Sequence, residues 1–300
     1  MHPTPGIIRP LSAYGLAVLA ALAAVYLVSQ ILRNSIGVIA PDLAREVGLS
    51  AAELGLLSSA FFVAFACAQI PLGIGIDRFG PKACMLVCAV IAVAGATLFA
   101  RAATPAELIF ARVLMGLGSC CYLMAPLAFF ARRFAPDRFT MLAGIHIGLG
   151  TLGTLVATAP LAMSAATIGW RMTFMLIAGG LVVCGLLLII AVPGGDGGEA
   201  RRRETWREGI AGFAVVLRTP SIMRLFGMHF MGYAAFTLVV GLWGGPYLAH
   251  VYGHGLVERG DLLFLAAAAQ SAGLFLGGPL ERVFGGFKLP VIIGAAGSGL

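Results

Sequence analysis

A handful of side chains near residue 30 have the types and spacing to hold an anion. Tyr26, Gln30, Arg33, Asn34 and Gly37 follow one another at i, i+4, i+7, i+8 and i+11. A helix carries that set on one face, with Leu, Val, Ala and Ile on the others. Arg33 offers a planar fork of N–H donors suited to a carboxylate or a phosphate. The alternative is an arginine that anchors the outer end of a membrane helix. Further along, His229, Tyr233 and Thr237 recur every four residues, and His146 precedes Thr151, Thr154 and Thr158. A histidine in such surroundings is either a packed hydrogen-bonding group or a proton carrier. Arg112 lies in another apolar run. Its burial costs at least ~2.5–3.5 kcal/mol on the insertion scale, so it faces a cavity or a partner, or it snorkels to the outer interface. The candidate substrate-binding set is therefore Tyr26, Gln30, Arg33, Asn34, Arg112, His146, His229 and Tyr233.

The elements that position these residues are apolar runs of membrane length. Of 300 residues, 60% are hydrophobic and 11% charged, against about 25% charged in a soluble domain. A spanning helix needs roughly 20 mostly apolar residues. Eight such runs occur, at about 12–37, 52–76, 83–100, 104–130, 139–164, 172–192, 221–246 and 261–280. A ninth starts near Leu289 and reaches Leu300 after twelve residues, so the chain is expected to stop inside a helix. The apolar stretch after Arg9 continues past any plausible cleavage site, which predicts an uncleaved first helix over a signal peptide.

The net charge of +7 is explained by placement. With the N-terminus inside, fourteen Lys and Arg fall on the inner side against four (Arg45, Arg101, Arg171, Arg259) on the outer side. That is the positive-inside bias, and it needs no nucleic acid partner. All thirteen carboxylates map to loops or helix ends, so none sits mid-membrane where proton-coupled carriers usually keep one. The six cysteines all fall in spans, without the companion ligands of a zinc site. No His-Glu-x-x-His pair, membrane aspartate pair or Gly-x-Ser-x-Gly elbow is present, so a membrane enzyme lacks its hydrolytic residues.

One turn identifies the layout. Gly73-x-x-x-Asp77-Arg78-x-Gly80-x-Lys82 joins two uncharged runs that enter and leave on the same side of a bilayer. It resembles the loop between helices 2 and 3 of the major facilitator superfamily of solute transporters, with Pro81 where the family often has a basic residue. Leu108-x-x-x-Arg112-x-x-x-Gly116-x-Gly118 resembles a second family motif, on helix 4. The turn has an internal echo at 277–288, where Glu281 and Arg282 stand for Asp77 and Arg78. Arg33-Asn34-Ser35 with Pro41 is similar to the end of helix 1 in organic-anion members, although Leu32 and Ser35 replace the usual aspartate and asparagine, and Ser119 a glutamate. The Gly-Pro pair of drug/proton antiporters is missing from the fifth run, where Pro160 follows Ala159. Gly169-Trp170-Arg171 resembles a family element that anchors at the outer interface.

The resemblance implies an all-α polytopic membrane protein: a six-helix bundle over 1–192, a cytoplasmic linker over 193–220, and over 221–300 a partial bundle of helices 7 and 8 and part of 9. It implies a permease of the bacterial inner membrane, N-terminus cytoplasmic, monomeric when full length. The expected activity is secondary active or facilitative transport of a small hydrophilic solute, an organic anion, by alternating access. A drug or metabolite efflux antiporter and a non-transporting sensor are the alternatives. Expected partners are the solute, a coupling proton or counter-anion, and the lipid bilayer; no cofactor or metal is expected. By the same resemblance, Gly73, Asp77, Arg78, Gly80, Lys82, Glu281 and Arg282 form a conformational latch.

Overall fold

In the computed structural model, which describes residues 13–194, 218–284 and 292, every regular element is a helix. The first span is broken in two: α1 (Ala13–Asn34) and α2 (Ile36–Val47) meet at Ser35. Pro41 lies inside α2 and lacks the N–H that would bond the Gly37 carbonyl. Gly48 ends α2 in the left-handed conformation.

α3 (Ala51–Phe79) opens on a capping box, in which Ser50 and Glu53 satisfy each other's backbone amides. Its 29 residues rise roughly 43 Å, more than the ~30 Å hydrocarbon core, so both charged ends clear the lipid tails. Gly80, at φ 84°, makes the turn that only glycine takes without strain, and Pro81 starts α4 (Pro81–Arg101). A second capping box, Thr104 with Glu107, opens α5 (Pro105–Ser119) at the same end as the first. After a short turn, α6 (Met124–Arg133) completes the fourth span.

α7 (Pro136–Val156) holds most of the fifth span, and Pro160 restarts the helix as α8 (Ala159–Ala191). Gly169, at φ 81°, kinks α8, so the fifth span ends there and the sixth begins at Trp170. The seventh span consists of α9 (Pro220–Leu238), a π-helical turn over Val239–Trp243, and α10 (Gly244–Tyr252). α11 (Leu256–Phe284) follows. Seven helical stretches among the described residues are long and apolar enough to cross a membrane, and α11 adds a further helix of 29 residues. Leu289 and, apart from Ile292, the run that it opens lie outside the described residues, as do the centre of the 193–220 segment and the side chains of His229, Glu281 and Arg282.

Lipid tails are as apolar as leucine, so these helices hold together by close packing rather than by hydrophobic contrast. α4 packs most extensively on α5 and α8, α3 on α5, and α1 on α7. Small residues make the approach possible. A Cβ on Gly116 would strike the Phe61 carbonyl, and one on Gly118 the backbone of Ala92. The two helix-4 glycines therefore serve packing. At Gly73, by contrast, a Cβ would meet nothing within 4 Å among the described residues.

These contrasts set a stability test. Gly118→Ala is expected to lower stability by about 1–3 kcal/mol through overpacking. Gly73→Ala, in open space, is expected to leave it unchanged or raise it by up to about 1 kcal/mol. Melting of the two variants in detergent measures both, and equal losses would contradict this packing.

Candidate functional site

Arg33 sits one residue before the end of α1, half-buried and facing α9. Its Nη1 donates to the Tyr233 hydroxyl at 2.8 Å, across 200 residues of sequence. Its guanidinium lies 4.5 Å from the centroid of the Phe65 ring on α3. Its Nε–H is buried without an acceptor, and no described carboxylate pairs with it. A guanidinium with one hydroxyl, one ring face and no carboxylate partner among the described residues keeps donor capacity that an anion can use.

The rest of the stripe builds one wall of that site. Asn34 donates to the Gln30 carbonyl at 2.9 Å and to Thr154 Oγ1 on α7 at 3.4 Å. The Gln30 side-chain oxygen is buried without a donor, as is the Ser29 hydroxyl. Tyr26, one turn deeper, stacks on His146 with ring centroids 5.0 Å apart. α7 comes this close because Gly150 lies against the Tyr26 ring and Gly153 against the Leu27 carbonyl, where a Cβ would collide. Arg33, Tyr233, Gln30, Asn34 and Tyr26 are thus brought together around the junction of α1, α7 and α9.

Two members of the predicted set are placed elsewhere. Arg112 is expected from sequence to face a cavity or a partner, or to snorkel to the interface; it is 0% exposed and has partners. Its Nη1 donates to the Leu32 carbonyl at 2.7 Å, its Nε to the Leu57 carbonyl at 3.3 Å, and its guanidinium covers the Phe61 ring at 4.5 Å. The reason is local: the break at Ser35 frees the Leu32 carbonyl, which Ser35 Oγ and Arg112 then share. Arg112 is a clamp on the broken first span. His146, also 0% exposed, has Nε2 at 3.0 Å from the Tyr122 carbonyl and an edge contact to Phe130, which makes it a packed residue behind Tyr26.

Among the described residues, the contacts of the turn lie inside the first eight helices. Asp77 accepts from Arg132 on α6 at 2.8 Å, and Arg132 also reaches the Ile76 carbonyl. Lys82 donates to the Ile189 and Val192 carbonyls, at 2.9 and 2.5 Å, and so caps the end of α8, where a cation is favoured. Arg78 rests on the Phe79 ring. Trp170 and Arg171, expected as interfacial anchors, instead tie the start of the sixth span to the end of the first: Trp170 Nε1 donates to Glu46 at 2.6 Å, and Arg171 pairs with the same carboxylate and donates to the Ala102 carbonyl at 2.9 Å.

Sequence reasoning missed two features. Cys88 and Cys120 approach to 4.0 Å between Sγ atoms in a buried cluster, which needs the α4–α5 contact to be visible. The second is an ion pair at the far end, Asp42 with Arg259, 217 residues apart. Its only sequence signal is a carboxylate and an arginine at the predicted outer ends of two spans.

A bundle of membrane-length helices thus encloses a cation that has no carboxylate partner among the described residues. The chain belongs to the Major Facilitator Superfamily, whose sequence model matches residues 22–300. It is 27% identical over 302 residues to a protein of Cupriavidus necator named "Probable sulfoacetate transporter SauU", covering 94% of this chain and 70% of that one. It is 25% identical over 150 residues to the hexuronate transporter of Bacillus subtilis, covering 48% of this chain and 34% of that one. Among solved structures it resembles a bacterial homologue of the human lysosomal transporter Spinster in an inward-facing, unoccupied conformation. The TM-score is 0.74 at 22% identity, over 92% of this chain and 64% of that one. That likeness concerns the fold alone, and the chain spans a little under two thirds of that structure.

The placement of Arg112 is open to a direct check. Arg112→Gln is expected to cost about 2–5 kcal/mol, because two buried carbonyls lose a charged donor. The yield of monodisperse protein should fall, while the surviving fraction keeps its KM for any transported anion. An altered KM at unaltered stability would return Arg112 to the binding site.

Proposed function

We propose that this protein moves a small organic anion, carrying a carboxylate or a sulfonate, across the bacterial inner membrane by alternating access. The observation that carries this reading is Arg33, a half-buried guanidinium between α1 and α9 with no carboxylate partner among the described residues. A charge so placed costs too much to keep without use, and an anionic substrate offsets it on arrival. In this reading the anion takes the Nε edge of Arg33 and shares its other edge with the Tyr233 hydroxyl. Gln30, Asn34 and Tyr26 hydrogen-bond the remainder of the solute, and Phe65 fixes the plane of the guanidinium. The names of the two relatives support the same class of solute, since sulfoacetate and hexuronates are both organic anions.

The first eight helices and those after residue 218 form, in this proposal, two bundles joined by the 193–220 segment, with the N-terminus and the Asp77 turn in the cytoplasm. The bundles rock about the Arg33 site, which lies between them.

Uptake of labelled sulfoacetate and galacturonate by cells expressing the full-length protein tests the assignment, with a neutral sugar as control. Arg33→Ala is expected to lower anion uptake at least roughly thirtyfold, with unchanged membrane insertion. Arg33→Lys, which keeps the charge and loses the fork, should fall between. Anion uptake by Arg33→Ala at the parent rate would remove Arg33 from the site and the proposal with it.

A further inference from the structure

Cys84, Cys88, Cys120, Cys121 and Cys184 come from the third, fourth and sixth spans and share one apolar cluster. All are free thiols. A buried cysteine by itself is a small apolar packing residue. Two of these thiols, however, reach each other: Cys88 Sγ on α4 lies 4.0 Å from Cys120 Sγ, and both side chains are buried.

The approach is built into the packing of α4 on α5. Gly95 lies against Met115, and Gly118 against Ala92, where a Cβ would be 2.6 Å from the Ala92 Cα. Both pairs belong to one antiparallel register, and the next turn of that register puts Cys88 beside the residues that follow Ser119. A disulfide needs Cα atoms about 4.4–6.8 Å apart, and helices in backbone contact provide that separation. The two sulfurs must close by about 2 Å to bond. Cys120 has the freedom to do so, because it opens the turn over 120–123 between α5 and α6 and is not held inside a helix.

The same turn is the back wall of the Arg33 site. Gln69 Nε2 is shared between the Cys120 carbonyl and the Phe65 carbonyl, each at 3.4 Å, and Phe65 is the ring beside Arg33. The Tyr122 carbonyl is 3.0 Å from Nε2 of His146, the ring on which Tyr26 stacks. A displacement of Cys120 is therefore felt behind both Phe65 and Tyr26.

We infer that Cys88 and Cys120 are a redox pair, closed to a disulfide by a lipid-soluble oxidant of the quinone class, and that closure shifts the 120–123 turn and slows transport. In this step both S–H bonds break and one S–S bond forms. The quinone takes the two electrons and the two protons and leaves as the quinol. A thiol reductant reverses the bond. An oxidant dissolved in the bilayer suits the site, because Val87 and Val90, beside Cys88 on α4, are exposed apolar residues in a spanning helix. The slowing of transport rests on the anion-transport reading; the bond and the movement of the turn do not.

The test treats the full-length protein in nanodiscs with a short-chain ubiquinone analogue and, separately, with diamide, an uncharged azo compound whose N=N bond takes up the same two electrons and two protons. Thiols are counted after denaturation, and linked peptides are mapped by mass spectrometry without reduction. The count is expected to fall by two, with Cys88 joined to Cys120, and dithiothreitol should restore it. Hydrogen exchange in peptides covering 119–126 and 143–150 should rise at least roughly threefold on oxidation. Uptake of labelled sulfoacetate or galacturonate into proteoliposomes should fall roughly tenfold. Cys88→Ser and Cys120→Ser should each abolish all three responses, and Cys67→Ser should keep them. The two serine variants lie on different helices, so either one that inserts normally carries the comparison. An unchanged thiol count with both reagents, or a bond between other cysteines, would overturn the pair. A Cys88–Cys120 bond with unchanged hydrogen exchange, or with equal uptake in the two states, would make it a static brace and overturn the control of transport. Reduced protein that carries neither anion, yet forms the bond and shows the rise in exchange, would refute the anion assignment and support the redox pair.

Discussion

A carbonyl released from a helix inside a bilayer has no water to turn to, and this architecture depends on how two such carbonyls are answered. The first span breaks at Ser35 and carries Pro41 one turn later, which frees Leu32 and Gly37. The Leu32 oxygen is taken by Ser35 and Arg112 together, and through Arg112 the first span is bound to α3 and α5. The Gly37 oxygen is met by the bare backbone of Gly245 on the seventh span. One irregularity thus serves both the rigidity of the first set of helices and its contact with the second.

The chain keeps two arginines within its spans and gives them opposite fates. Arg112 has two carbonyl acceptors and a ring face, sealed from any solvent. Arg33 has one hydroxyl, one ring face and an unused edge. Both are the same residue in similar apolar runs. The difference lies in the number of acceptors that neighbouring helices bring, and a deficit of acceptors around a cation is what leaves room for an anionic ligand.

The ends of the bundle are asymmetric as well. Around the Asp77 turn, the bonds among the described residues run within the first eight helices: Asp77 to Arg132, and Lys82 to the end of α8. Around Asp42 they run across, from α2 to α10 and α11.

Composition, run length and charge placement were enough to read an all-helical membrane protein from the sequence, because no other secondary structure satisfies its own backbone in each separate apolar segment. The motif at 73–82 pointed to the family, and the period of the stripe at 26–37 put Tyr26, Gln30, Arg33 and Asn34 on one face. Those features are local, and locality is what a sequence records. Whether a buried arginine clamps or binds, whether Trp170 meets lipid or Glu46, and which carboxylate answers Arg259 are questions about acceptors supplied from other helices, 50 to 220 residues away. Only the tertiary packing decides them, because in a low-dielectric interior the role of a polar group is set by the partners within about 3 Å and not by its neighbours in the chain.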